Sequence, residues 1–233
     1  MDTWGTNAEN GTSKENTWRA NSDVPAVLSV LSACLETPLP RITENASVAG
    51  EAQHWAAVCA LFSDAADPDI LFTARAAELR KHPGQISFPG GARDTADYDP
   101  SGTALRETFE EVGLTAERVH MLGRLPATQV RVSRFAVVPM VAWWSGNDSL
   151  SVNLAEVAAV YRWPVSLLVD PNYRVTALHP SGFTGPAWRI DGTFLWGFTA
   201  HVVDQLLTLG GWNRPWDESH QVPVPAEFMR DHL

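Results

Sequence analysis

The chain carries, near its middle, the stretch Leu105-Arg106-Glu107-Thr108-Phe109-Glu110-Glu111-Val112-Gly113-Leu114, and this stretch decides the fold that we predict. The residues around it have the chemistry of helix ends. Asp99 can cap the N-terminus, Pro100 suits the first helical position, and Gly113 can end the helix in a left-handed conformation. The sequence therefore predicts a helix over residues 100–112.

Three glutamates of this helix fall on one side of it. Glu107 and Glu110 are three positions apart, and Glu107 and Glu111 are four apart, which are the spacings that bring helical side chains together. We expect another side of the helix to face the core, with the apolar residues Leu105, Phe109 and Val112.

Carboxylates at this spacing repel one another by a few tenths of a kcal/mol per pair (about 0.2–0.5) unless something compensates them. An oxygen-preferring divalent cation such as Mg²⁺ or Mn²⁺ would do so. Glu107, Glu110 and Glu111 are therefore candidate metal ligands, with Arg106 placed to orient a carboxylate. The alternative for such a helix, taken alone, is a solvated acidic face.

The charges on either side of the helix change sign along the chain. Residues 94–111 hold six acidic side chains and one basic one, whereas the basic residues Arg75, Arg80, Lys81 and Arg93 precede them with a single acid, Glu78. A basic segment beside an acidic metal site is the pattern that a diphosphate substrate needs, since arginines bind phosphates and a metal neutralises charge at phosphorus.

The segment from Gly91 to Leu114 resembles the Nudix box, G-x5-E-x7-R-E-U-x-E-E-x-G-U, in which U is aliphatic. Its second half matches closely, except that Thr108 stands where an aliphatic residue is usual. In its first half Gly91 is one residue too far from Arg106, and the first glutamate is absent, with Asp97 nearest to that position. The departure therefore concerns the outermost metal contact of the family and not the glutamates of the helix.

A second resemblance is narrower and concerns the coenzyme A diphosphatase branch of the Nudix family. Its signature is matched by Leu71-Phe72-Thr73-x-Arg75-Ala76-x3-Arg80-x3-Gly84-x3-Phe88-Pro89-Gly90-Gly91. That branch tends to carry the same offset box, and Trp196-Gly197-Phe198-Thr199-Ala200 resembles a segment common near its end. The two adjacent motifs in the correct order are more specific than either alone.

The resemblance implies the Nudix fold, a mixed β-sheet between α-helices in an α/β protein. It also implies hydrolysis of coenzyme A or acyl-coenzyme A to 3′,5′-ADP and 4′-phosphopantetheine or its acyl form. By the same resemblance the substrate-binding residues are Arg75, Arg80, Gly90 and Gly91, the metal ligands are Glu107, Glu110 and Glu111, and the catalytic residues are Arg106, Glu110 and Glu156. Glu110 and Glu156 are alternative general bases.

Two other functions stay open at this point. One is a Nudix hydrolase for another nucleoside diphosphate derivative, such as a dinucleotide or a sugar nucleotide, against which the signature over residues 71–91 argues. The other is a catalytically silent ligand-binding module, against which the complete set of Arg106, Glu107, Glu110 and Glu111 argues.

The composition of the chain limits the classes of partner and the domain organisation that we expect. Of the 233 residues, 45% are hydrophobic, which is enough for one sizeable core. The formal net charge of -10 argues against nucleic-acid binding, which needs a basic surface. We expect a disordered polar tail over residues 1–22, a Nudix domain over 23–211 and a proline-containing C-terminal tail over 212–233 that is either loose or faces a partner. We expect a small-molecule substrate, and a homodimer is possible. Since the sequence contains no secretory signal and no membrane-spanning segment, we also expect no membrane partner and a cytoplasmic location.

Local patterns predict the remaining elements. They are helices over 25–35 and 199–209, strands over 55–62, 70–73, 137–144 and 157–163, and a hairpin of 187–190 and 193–196 around Asp191-Gly192.

Overall fold

The structure is a computed structural model that describes residues 23–35, 55–75, 84–130 and 135–229. Its helices are α1 (Ser29–Leu35), α2 (Pro100–Val112), α3 (Val165–Leu168) and α4 (Gly197–Leu209), with short 3-10 turns at Ala26–Leu28, Ala116–Arg118 and Ala226–Phe228. Its strands are β1 (Trp55–Ser63), β2 (Asp69–Arg75), β3 (Ile86–Ser87), β4 (Gly90–Ala92), β5 (His120–Arg124), β6 (Thr128–Val130), β7 (Phe135–Trp144), β8 (Val157–Pro164), β9 (Arg174–Leu178), β10 (Thr184–Ile190), β11 (Thr193–Leu195) and β12 (Gln221–Pro223). All the locally predicted elements are therefore confirmed, with bounds shifted by a few residues.

The first sheet has eight of the described strands and is mixed. β1 lies at its centre, parallel to β7 and antiparallel to β2 and β4. β2 also pairs with β3 and β8, and β7 pairs with β5 and β6. Two strands of the predicted signature, β2 and β4, therefore follow one another along the same edge of β1: β4 pairs with its first half at Ala56–Val58, and β2 pairs with its end at Leu61 and Phe62.

Helices cover both faces of this sheet. Alternate residues of β1 point to opposite faces, as the pleat of a strand requires. Ala57, Cys59 and Leu61 pack with Ala104 and Val112 of α2. The other face, which includes Phe62, packs against α1 and α4. The predicted arrangement of a mixed sheet between helices is confirmed.

One expectation about α2 is wrong. Phe109 does not face the core: 54% of its surface is exposed. The buried stripe of the helix contains Ala104, Thr108 and Glu111 instead. The helix is turned so that two of its glutamates, rather than its phenylalanine, lie against the sheet.

The second sheet has four described strands in the order β11-β10-β9-β12. The hairpin between β10 and β11 turns through Asp191 and Gly192, both with positive φ. Residues 212–229 are not loose, although their prolines predict a loose tail: β12 pairs in parallel with β9, and Val224 is buried. Two backbone hydrogen bonds, from Thr176 to His220 and from Val224 to Leu178, extend this docking.

Cys34 is exposed and Cys59 is buried, and both are free thiols. Burial raises the pKa of Cys59 to about 12, so its thiol stays protonated and unreactive near neutral pH. No helix of the described residues is long and apolar enough to cross a membrane.

Candidate active site

The helix that carries the acidic residues is fixed at both ends. The Asp99 side chain accepts a hydrogen bond from the backbone N–H of Gly102 at 2.9 Å. At the other end Gly113 has a φ of 74°, and its N–H donates to the carbonyl of Phe109. In the middle, the buried hydroxyl of Thr108 donates to the carbonyl of Ala104 at 2.7 Å, so a threonine is accommodated where an aliphatic residue is usual. These contacts fix the two ends of α2 and satisfy the Thr108 hydroxyl within the helix itself.

Glu111 is the most buried acid of the cluster, with 5% of its surface exposed. The hydroxyl of Thr73 in β2 donates to its Oε2 at 3.0 Å, and the backbone N–H of Gly90 also donates to the carboxylate. Burial is nevertheless the largest influence and raises its pKa to about 7. A buried carboxylate that is costly to ionise is a group that a cation would stabilise.

Glu107 is buried one turn earlier in α2. Burial raises its pKa, and the hydrogen bond from Arg106 opposes that rise. The negative charges of Glu110 and Glu156 raise its pKa further. Two other carboxylates, those of Glu110 and Glu156, are therefore close enough to Glu107 to share one electrostatic site with it, and the charge of Glu107 in turn acts on Glu111.

Arg106 links the members of this cluster. Its Nη1 donates to Glu107 Oε1 at 2.8 Å and to Glu110 Oε2 at 2.9 Å. Its Nη2 donates to the backbone carbonyl of Ala92 at 2.9 Å and to Asp97 Oδ2 at 2.9 Å. The planar guanidinium thus holds two glutamates and the end of β4 in fixed relation.

Asp97 has a role that the sequence did not assign to it. Besides Arg106, its carboxylate accepts hydrogen bonds from the Thr103 hydroxyl and the backbone N–H of Asp94, both at 2.8 Å. The hydrogen bond from Arg106 is the main reason why the pKa of Asp97 falls to about 2. Asp97 therefore stands near the family's first glutamate position as the anchor of Arg106.

The two glycines of β4 are required by close packing. A Cβ on Gly90 would lie 2.5 Å from the carbonyl oxygen of Ala57 and 2.7 Å from the Cα of Val58, both backbone atoms of β1. A Cβ on Gly91 would lie 2.5 Å from the Cδ of Glu107. Both residues border the acidic site, and their lack of a side chain lets α2 and β1 approach β4.

The two candidate bases lie at the exposed edge of the site. Glu110 is half-exposed and is held by Arg106. Glu156 is exposed, with a long 3.5 Å contact from the amide of Asn153. The loop before Glu156 is tied to the end of α2, because the N–H of Asn153 donates to the carbonyl of Glu111 at 3.0 Å. The fold therefore brings Glu156 to the cluster from a distant part of the sequence.

Arg75 ends β2 beside Glu111, and its positive charge lowers the pKa of that carboxyl. Its Nε is buried and has no hydrogen-bond partner among the described residues. A buried donor that lies beside the acidic site and has no partner among the described residues is available to a substrate oxygen. Arg80, the other predicted substrate-binding arginine, lies outside the described residues.

The donor set fits a hard divalent cation in its chemistry. It consists of carboxylate oxygens, which Mg²⁺ and Mn²⁺ prefer, on two buried side chains that gain from a positive charge. Within the part of the chain that the structure describes, however, no three His, Cys, Asp or Glu side chains are grouped as a ready-made metal site. Arg106 holds Glu107 and Glu110, so these two carboxylates would have to turn toward an ion.

Sequence reasoning gave no role to Thr73, although the signature contains it. Its hydroxyl reaches Glu111 across 38 positions of the chain, a contact that depends on how α2 lies on β2. The signal that could have found it is a polar residue in a strand that is otherwise apolar, Ile70–Phe72.

Known proteins give an independent comparison. A model of the NUDIX domain matches residues 53–167. The uncharacterized Nudix hydrolase NudL of Pectobacterium atrosepticum is 37% identical over 146 residues, which cover 60% of this chain and 73% of that protein. The protein of the same description from Yersinia enterocolitica is 36% identical over 156 residues, 66% of this chain and 80% of the relative.

A solved structure of similar fold is the NUDIX hydrolase from Alicyclobacillus acidocaldarius. It has a TM-score of 0.46 and 19% identity, over 69% of this chain and 93% of that one. The domain match and the NudL relatives indicate the family of the chain. The chain belongs to the Nudix hydrolase family and is a hydrolase that acts on pyrophosphate bonds.

Proposed function

We propose that this Nudix hydrolase cleaves the diphosphate of coenzyme A or acyl-coenzyme A. Water would be consumed, and 3′,5′-ADP and 4′-phosphopantetheine or its acyl form released. The observation that carries the proposal is the position of Arg75. The coenzyme A signature over residues 71–91 contributes β2, β3 and β4 around Glu111. Arg75 presents there a buried Nε that has no hydrogen-bond partner within the described ranges.

Glu107, Glu111 and Glu110 are the residues that would hold Mg²⁺ or Mn²⁺. A divalent cation bound there supplies positive charge that offsets the charge developing on the diphosphate oxygens. Arg106 sets the distance between Glu107 and Glu110, and Asp97 holds Arg106 in place.

Arg75 would bind a phosphate oxygen through its Nε and keep the diphosphate beside Glu111. A second carboxylate would accept the proton of the attacking water. Glu156 suits this role better than Glu110, because Glu110 accepts a 2.9 Å hydrogen bond from Arg106, whereas the contact of Glu156 with Asn153 is 3.5 Å long.

The test is to incubate the purified full chain with coenzyme A and ~5 mM Mg²⁺ or Mn²⁺, ample for a weakly held ion. The products are separated by chromatography. Formation of 3′,5′-ADP that requires the metal supports the proposal. If coenzyme A and acetyl-coenzyme A stay intact while a dinucleotide or sugar nucleotide is hydrolysed, the substrate assignment is wrong. If no diphosphate in such a panel is hydrolysed although ligands bind, the chain acts as a binding module.

A further inference from the structure

Thr73 occupies an unusual place in the first sheet. It lies in the middle of β2, is only 1% exposed, and follows a run of apolar residues. A buried hydroxyl needs a hydrogen-bond partner, and here the partner is a carboxylate: Thr73 Oγ1 donates to Glu111 Oε2 at 3.0 Å.

The strand itself does not need this hydroxyl. The Cα of Thr73 is paired with Ser87 of β3 on one side and Val160 of β8 on the other, so its backbone lies within the sheet. A valine would have the same shape and a comparable preference for a strand. The choice of threonine is therefore explained by its contact with Glu111 and not by the packing of β2.

The direction of the hydrogen bonds follows from the number of protons. Thr73 has a single hydroxyl proton, which it donates to Glu111. Ser87 Oγ lies 3.5 Å from Thr73 Oγ1, and Ser87 can donate in this longer contact while the proton of Thr73 is directed at Glu111. The chain Ser87, Thr73, Glu111 aligns the threonine proton with Oε2, and the N–H of Gly90 adds a second donor to the carboxylate.

We propose that Thr73 is a positioning residue for metal binding: its hydroxyl fixes the side-chain conformation of Glu111, so that the carboxylate presents its remaining lone pairs to the divalent cation. This role rests on the proposed function only in that Glu111 is taken as a metal ligand. It does not depend on which diphosphate is the substrate.

Removal of a residue that hydrogen-bonds to a metal ligand typically lowers the affinity for the metal by about 10- to 100-fold. We therefore expect Thr73→Val to weaken Mn²⁺ binding by at least about 10-fold, measured by titration with electron paramagnetic resonance detection and without substrate. Thr73→Ser keeps the hydroxyl and should restore most of the affinity. At limiting Mn²⁺ the valine variant should lose turnover, with the KM for coenzyme A unchanged.

Thr108→Val is the matched control. It also removes a buried hydroxyl, but one that donates to the backbone carbonyl of Ala104 rather than to an acid. Its Mn²⁺ affinity should equal that of the wild type. If Thr73→Val folds poorly, Thr73→Ser and Thr73→Ala supply the comparison between variants with and without the hydroxyl.

Mn²⁺ affinity of Thr73→Val equal to that of Thr108→Val, or of Thr73→Ala equal to that of Thr73→Ser, would overturn the proposal. A wild type that binds Mn²⁺ but leaves coenzyme A intact contradicts the proposed substrate and leaves the role of Thr73 standing. A wild type that binds no Mn²⁺ overturns both.

Discussion

Gly91 of β4 lies directly against the carboxylate of Glu107 in α2, so closely that a methyl group on Gly91 would come within 2.5 Å of the Cδ of Glu107. Glu107 cannot move away freely, because Arg106 holds its Oε1 at 2.8 Å. The conformation of a proposed metal ligand therefore depends on the missing side chain of a residue in a neighbouring strand.

Substitutions of the two adjacent glycines should have different effects. Gly91→Ala would displace the carboxylate of Glu107. We therefore expect turnover to fall by about 10-fold or more, as when a residue that hydrogen-bonds to a metal ligand is removed, and stability to change little. Gly90→Ala would collide with the backbone of Ala57 and Val58, so it should lower the free energy of unfolding by roughly 1–3 kcal/mol. Urea unfolding and steady-state kinetics on both variants distinguish them. Equal stability losses would contradict this interpretation.

The ends of α2 could be predicted because they depend on neighbouring residues. Asp99 caps the helix through its carboxylate, and Gly113 ends it because a residue without a Cβ adopts a positive φ without strain. The rotation of the helix could not be predicted, because hydrophobicity placed Phe109 inside. In the fold, Glu111 lies inside, where Thr73 and Gly90 supply its hydrogen bonds.

Contacts between distant segments were also beyond sequence reasoning. The pairing of β12 with β9 joins residues more than forty positions apart, and the prolines around β12 suggested a loose tail. From the sequence alone, Asp97 is only the acidic residue nearest to the position of an absent glutamate. Its function as the anchor of Arg106 depends on the loop before α2 folding back onto the helix.

Glu111→Gln should separate activity from stability. Burial already disfavours the charged form of Glu111, so a neutral side chain of the same shape should leave the melting temperature of the metal-free protein unchanged or slightly higher. Turnover should fall by more than about 100-fold, because the loss of a metal ligand should cost more than the loss of a residue that only hydrogen-bonds to a ligand. Stabilisation by Mn²⁺ in a thermal melt should disappear as well. Glu117→Gln, at an exposed position, is the control, and unchanged turnover in Glu111→Gln would remove Glu111 from the proposed metal ligands.

Arg75→Ala should raise the KM for coenzyme A by about 10-fold and lower kcat less, if its Nε binds a phosphate of the bound substrate. Arg75→Lys keeps the positive charge but loses the paired N–H donors of the guanidinium, so its KM should lie between those of the wild type and Arg75→Ala. Initial rates over a range of coenzyme A concentrations provide both constants. Arg189→Ala, at an exposed position in β10 of the second sheet, should behave as the wild type. An unaltered KM in Arg75→Ala would refute the assignment.

Asp204→Asn should destabilise the second sheet through Arg174. The Arg174 side chain is fully buried between the rings of Trp188 and Trp216, and it is paired with Asp204. Removing the carboxylate leaves a buried charge without its counter-ion, so we expect a loss of about 3 kcal/mol in the free energy of unfolding.

The matched control is Asp148→Asn, which breaks the ion pair of Asp148 with Arg118, whose side chain is 64% exposed, and should cost less than about 1 kcal/mol. Urea denaturation of both variants supplies the comparison. Trp216 belongs to the segment after Gly211 and packs on Arg174. If Asp204→Asn is strongly destabilised and its tryptophan emission shifts to the red at low urea, this segment is released before the rest of the protein unfolds. If the two variants unfold at the same urea concentration, Arg174 does not hold the C-terminal segment in place.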